Sequence, residues 1–189
     1  MIFKKHFELE GQHAFLGGSK YHWINYDSEK IASSYLKFLA IQKGVDLHDL
    51  ASRCISLGIK LAKSKKSLNS YVNDCISYSM IPEQTLFYSK NSFGTADAIC
   101  FKEKEKLLRI HDLKTGISPV SINQLRIYAA LFCLEYEVNP FSITMELRIY
   151  QADTILVEIA VPEDIESIMS KIIQFDKEIE EIKQEEEHD

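Results

Sequence analysis

Three observations predict an α/β fold with a central mixed β-sheet flanked by helices. Apolar residues recur at helical spacing up to about Lys63, switch to strand-like alternation from Glu83, and return to helical spacing over 121–138 and after Pro162. At 189 residues the chain is the size of one domain, so 1–189 reads as a single unit. With 46% apolar and 26% charged residues, the composition is that of a globular protein rather than a disordered one.

The first helix is expected in "DSEKIASSYLKFLAIQKG". Ser28 caps it, Ile31, Tyr35, Phe38 and Leu39 form its apolar stripe, and Gly44 follows its end. A second is expected in "VDLHDLASRCISLGIKLAK", capped by Asp46, with Leu47, Leu50, Cys54, Leu57 and Leu61 facing inward. The polar "KSKKSLNSYVND" has too little apolar periodicity to be placed. Strands follow in "EQTLFYSK", "GTADAICFK" and "KLLRIHDLK", then a helix in "SINQLRIYAALFCLEYEV", then strands in "SITMELRIYQ" and "TILVEIAV". A last helix starts near Pro162, with Ile165, Ile168, Ile172, Phe175, Ile179 and Ile182 on one face. Alternating strands and helices of this kind form a layered α/β sandwich.

The net charge of −6 lies entirely in the last stretch, where Asp176 to Asp189 holds eight acids and two lysines. The remainder carries 20 acids and 20 bases and is neutral, so acidity does not exclude a nucleic-acid partner. Cys54, Cys75, Cys100 and Cys133 form no CxxC pair and read as buried thiols rather than as zinc or cluster ligands. The opening residues lack the apolar core of a signal peptide, and no apolar run reaches membrane-spanning length, so a soluble, intracellular protein is expected.

The strands "GTADAICFK" and "KLLRIHDLK" are joined by a charged turn centred on Lys104 and Glu105. Antiparallel partners about that centre have numbers summing to 209, which places Asp97 opposite Asp112, Ile99 opposite Ile110 and Phe101 opposite Leu108. Lys114 shares their face. Two carboxylates about 5 Å apart at the margin of an apolar face repel one another, and a divalent cation shared by their oxygens relieves that repulsion. On the hairpin alone, an Asp–Lys pair on an edge strand, with Asp97 capping a strand, is the favoured account of these residues.

Other polar residues carry two readings each. Gln124 and Tyr128 sit four apart on one helix face and can hold a phosphate or the lysine, while Ser121 to Gln124 also matches a capping box. His48, in the first turn of its helix, is kept neutral by the helix dipole and so available to a metal, or is a surface residue. Glu83 opens the first strand and ranks below the other acids. Lys60, Lys63, Lys65 and Lys66 form the densest basic cluster, suited to phosphate contacts or to a solvated helix end. His13, His22 and Trp23 suggest no mechanism.

In chain order, "GVDLHDLA", "GTADAI", "HDLKTG" and "QLRIY" resemble the motif series of the RecB-like branch of the PD-(D/E)xK nuclease superfamily. The resemblance covers Gly44 to Tyr128 and implies a restriction-endonuclease-like core. It implies that His48, Asp97 and Asp112, with the carbonyl of Leu113, hold Mg2+ or Mn2+, and that Asp97, Asp112 and Lys114 are catalytic. Gln124 and Tyr128 match the QxxxY element, which contacts nucleic acid or supports the lysine. The implied activity is hydrolysis of DNA phosphodiester bonds by an exonuclease or an enzyme of single-stranded ends, in DNA repair or recombination. Ser52 stands where many relatives carry a further acid. The four clustered cysteines of iron–sulfur relatives are missing, and unwinding would need a helicase partner. A noncatalytic nucleic-acid-binding or protein-interaction module on the same fold is the alternative.

Overall fold

The computed structural model describes residues 47–186, together with residues 15, 16, 23–26, 28, 31 and 35. The chain divides into two compact units, residues 1–43 and residues 44–189. In the first, residues 23–25 form a 3-10 turn closed by the Tyr26 amide donating to the Trp23 carbonyl at 3.0 Å. Ser28, Ile31 and Tyr35 are helical, as expected of the first helix, whose other positions lie outside the described residues, as do His13, His22 and Asp46.

The second unit carries a five-stranded mixed sheet in the order β1-β2-β3-β4-β5. Its elements are α1 (residues 47–57), α2 (Ser67–Ser77), β1 (Ile81–Ser89), β2 (Ser92–Lys102), β3 (Leu107–Leu113), α3 (Asn123–Glu135), β4 (Thr144–Gln151), β5 (Thr154–Ile159) and α4 (Pro162–Glu186). β1, β2 and β3 form an antiparallel meander, β4 runs parallel to β3, and β5 returns antiparallel. A parallel pair requires a long crossover, and α3 supplies it. The fold is therefore the α/β class that the periodicities predict. Among the described residues, no helix is long and apolar enough to cross a membrane.

Helices cover both faces. α3 and the start of α4 pack on Leu108, Ile110, Met145 and Leu147, while α1 and α2 pack on Ala98, Cys100, Leu113 and Tyr150. β3 is thus a central strand buried on both sides, and all four cysteines are buried and free. The β2–β3 ladder runs from Lys102↔Leu107 to Ala98↔His111, every pair summing to 209 as the turn predicts.

Two expectations for α1 are corrected. α1 buries Ala51, Cys54 and Ile55, whereas Leu50 and Leu57 of the expected stripe are 45% and 72% exposed. It also ends at Gly58 rather than near Lys63. Gly58 takes φ +67°, and the Gly58 and Ile59 amides donate to the Ile55 and Cys54 carbonyls, closing the helix in a Schellman arrangement. The unplaced polar stretch contains α2, which buries Tyr71, Val72 and Cys75 against the sheet. On α4, Ile165 is buried and Ile168 and Ile172 pack on the core, while Phe175, Ile179 and Ile182 are exposed although the neighbouring Asp176, Glu180 and Lys183 bond to Ser89 and Asn91 at the β1–β2 turn.

β1 and β2 do not keep one alternation along their whole length. Glu83 adopts φ +52°, a left-handed conformation that breaks the strand's alternation. Across from it, Ala96 and Ile99 both join the α3-side core although they are three residues apart. The two strands therefore switch faces at Glu83 and Asp97.

Candidate functional site

The side chains singled out by sequence converge where that switch occurs. The sum rule carries the β2–β3 register on to Asp97 opposite Asp112, one step past the last ladder pair. The Asp97 carboxylate accepts the Leu113 amide at 3.0 Å, which fixes Oδ2 over the end of β3. His48 in the first described turn of α1 brings Nδ1 to 3.3 Å from the same oxygen.

Asp112 is 1% exposed, because β3 is covered on both faces. Its Oδ1 accepts a hydrogen bond from Lys114 Nζ at 2.9 Å, and its Oδ2 is buried without a partner. This overturns the edge-strand account, since Asp112 and Lys114 are not a surface pair. Lys114 is itself held twice. Its backbone amide donates to the Tyr150 carbonyl at 2.9 Å, and Nζ donates to Gln124 Oε1 at 2.9 Å. Gln124 Nε2 then donates to the Tyr128 hydroxyl at 3.0 Å. The capping-box reading of Gln124 fails for the same reason: Ser121 Oγ accepts the Asn123 amide, and the Gln124 side chain is committed to Lys114 and Tyr128. Gly94 admits Tyr128, for a Cβ there would stand 2.9 Å from its Cε1.

Glu83, ranked low by sequence, belongs to the group. One ligating atom each of His48, Glu83 and Asp97 lie within 4.8 Å of one another. The β1–β2 pairs Pro82↔Ala98 and Gln84↔Ala96 bracket Glu83 opposite Asp97, and Asp112 stands one step past the last β2–β3 pair, Ala98↔His111. The same reasoning that found Asp112 misses Glu83. A turn centred on Lys90 and Asn91 gives partners summing to 181, but the irregularity between Phe87 and Ser89 changes the sum to 180.

The electrostatics follow from this crowding. Burial, and then the Asp97 charge, push the Asp112 carboxyl above the ordinary aspartate range, against the pull of Lys114 and His48. Burial and Asp97 likewise raise Glu83, while His48 lowers it. A divalent cation among these groups would offset the repulsion and give Asp112 Oδ2 the partner it lacks. The imidazole of His48 and the carboxylates of Glu83 and Asp97, with ligating atoms within 4.8 Å of one another, suit a hard divalent cation, whose octahedral ligands stand roughly 3 to 4 Å apart. Asp112 lies outside that group and adjoins it through the charge of Asp97.

Leu113 adjoins the group through its amide, which donates to Asp97, while its side chain is buried with α1 and α2. The basic cluster stands apart. Lys60, Lys63, Lys65 and Lys66 are exposed on the loop between α1 and α2, where Lys66 pairs with Asp153 at 3.0 Å. No family model, curated protein or solved structure matches the chain, so the arrangement of these side chains alone carries the functional reading.

Proposed function

We propose that the protein is a metal-dependent nuclease of the RecB-like PD-(D/E)xK type, with a restriction-endonuclease-like core, which hydrolyses DNA phosphodiester bonds at single-stranded regions or ends. The observation that carries this reading is Asp112: a carboxylate in the central strand, with one oxygen on Lys114 and the other bare, beside Asp97, His48 and Glu83. A folded core does not retain a buried, unpaired carboxylate oxygen without cost, and a functional ligand explains it.

Mg2+ or Mn2+ bound there would neutralise charge growing on the phosphate and make water more acidic. Asp97, Asp112, His48 and Glu83 would hold the ion, with the Leu113 carbonyl an expected further ligand. Lys114 Nζ, fixed between Asp112 and Gln124, points a hydrogen-bond donor at the attacking water or the phosphate oxygen. The water oxygen bonds to phosphorus, the phosphorus–oxygen ester bond breaks, and the leaving oxygen takes up a proton. Gln124 keeps Lys114 in place and is itself held by Tyr128, and the two would contact the strand to be cut. A helicase or recombination protein is the partner this chemistry suits.

The test is incubation of end-labelled single- and double-stranded DNA with Mg2+, Mn2+ or chelator, using the wild type beside Asp112→Asn and Lys114→Ala. The expected result is metal-dependent cleavage that falls by roughly a hundredfold or more in either variant. Absence of cleavage by the wild type, or equal cleavage by the variants, removes the enzyme reading and leaves a noncatalytic binding module.

A further inference from the structure

The β1–β2 hairpin extends from the acidic centre and ends in an aromatic pair that no core residue covers. Phe87 and Phe93 are cross-strand partners, their ring centroids 6.5 Å apart and their planes inclined by 29°. They are 47% and 61% exposed. Their chain neighbours account for the direction they take. Leu86 is buried in the α3-side core and Gly94 lies against Tyr128, so Phe87 and Phe93 point to the opposite face. Between the rings and the acids stand Thr85 and Thr95, also partners, with hydroxyl oxygens 3.1 Å apart.

We propose that the Phe87–Phe93 pair is a stacking subsite for the unpaired bases of a single-stranded nucleic acid whose phosphate lies at the acidic centre. The inference rests on the nuclease reading of that centre and adds the subsite that selects single strands. Three features support it. Exposed aromatic rings offer flat π-faces, on which any base stacks without regard to sequence. Phe87 is four residues from Glu83, at most about 13 Å along a strand, so a nucleotide near the scissile phosphate reaches it. The Thr85 and Thr95 hydroxyls fall on the path between, where sugar and phosphate oxygens need donors. An aromatic cross-strand pair also steadies the hairpin, so binding rather than stability distinguishes a stacking subsite from a purely structural pair.

The experiment is equilibrium binding of the full chain to labelled single-stranded and duplex oligonucleotides in chelator, where no cleavage occurs. Wild type is compared with Phe87→Leu, Phe93→Leu and Phe93→Trp, each checked for an unchanged melting temperature. Leucine at either position is expected to weaken single-strand binding roughly five- to hundredfold with little effect on duplex. Phe93→Trp is expected to keep wild-type affinity and to show tryptophan quenching on binding, beyond any change from Trp23 in the wild type. Wild-type affinity in the leucine variants, an unquenched Phe93→Trp, or no single-strand binding at all overturns the subsite. Loss of affinity and quenching in a protein that cuts nothing in any metal keeps the subsite and removes the nuclease reading. Metal-dependent cleavage with unaltered binding in the leucine variants does the reverse.

Discussion

Asp112 shows how one residue's surroundings convert an acid into a candidate ligand. A carboxylate on an exposed strand would be solvated, but β3 is central and Asp112 meets the Asp97 charge with water excluded. Metal binding should therefore be visible as stability. At a concentration about a hundred times the dissociation constant, a bound ion adds about 2.7 kcal/mol. For a chain of this size that corresponds to a rise in melting temperature of roughly 5 to 10 °C. The wild type is expected to show this rise with Mn2+ and Asp112→Asn to show little of it, as scanning calorimetry would reveal. Protons compete for the same oxygens. Because Asp112 and Glu83 are both raised, the Mn2+-induced rise should shrink on acidification at a higher pH than ordinary carboxylates would give. Lys114 and Gln124 depend on one another through the 2.9 Å bond between them. Gln124→Ala should accordingly lower the cleavage rate while leaving Mn2+ binding near the wild-type level, a separation that steady-state kinetics and calorimetry together would detect.

At the scale of elements, the site depends on how closely the β1–β2 hairpin approaches α3. Gly94→Ala places a methyl group 2.9 Å from Tyr128 Cε1, so the ring or the strand must shift. The expected outcome is a loss of about 1 to 3 kcal/mol in urea unfolding together with slower cleavage, since Tyr128 is the last link of the chain to Lys114. Strand order and the β2–β3 register were legible in the sequence because period-2 alternation is strong there and the charged turn is symmetric about its centre. The companion hairpin was not, because the irregularity beyond Phe87 moves its register by one and a left-handed Glu83 changes the face of the strand. Neither leaves a mark in the pattern of apolar residues. α2 was missed for a different reason: its Tyr71, Val72 and Cys75 do recur at helical spacing, but Lys and Ser surround them. In α1, Leu50 and Leu57 outweighed the smaller Ala51, which is the residue that close packing on the sheet selects.

Across the whole second unit, the opposite face of the sheet carries a buried polar network distinct from the acidic centre. Tyr150 donates to Asp74 at 2.7 Å, and His111 Nδ1 lies 3.3 Å from the Tyr150 hydroxyl oxygen and 3.7 Å from Cys75 Sγ, while its Nε2 is buried without a partner. Burial, with Arg148 and Arg109 nearby, depresses His111 to about 3. A histidine depressed in the fold binds its proton only on unfolding, so its contribution to stability is complete above about pH 6.5 and is lost as pH falls toward 3. Between those limits the wild type should lose up to about 1.4 kcal/mol per pH unit through this group. His111→Phe should flatten that part of the stability profile, which chemical denaturation at a series of pH values would resolve. This network braces α2 against β3 and β4 without touching the acids. The proposed nuclease function requires Asp97, Asp112, His48 and Glu83 to converge on one divalent cation. Calorimetric titration of the metal-free protein with Mn2+ tests that convergence most directly. The predicted result is saturable binding that is lost in Asp112→Asn and in Asp97→Asn. Absence of binding in the wild type, or binding that survives both substitutions, would contradict it.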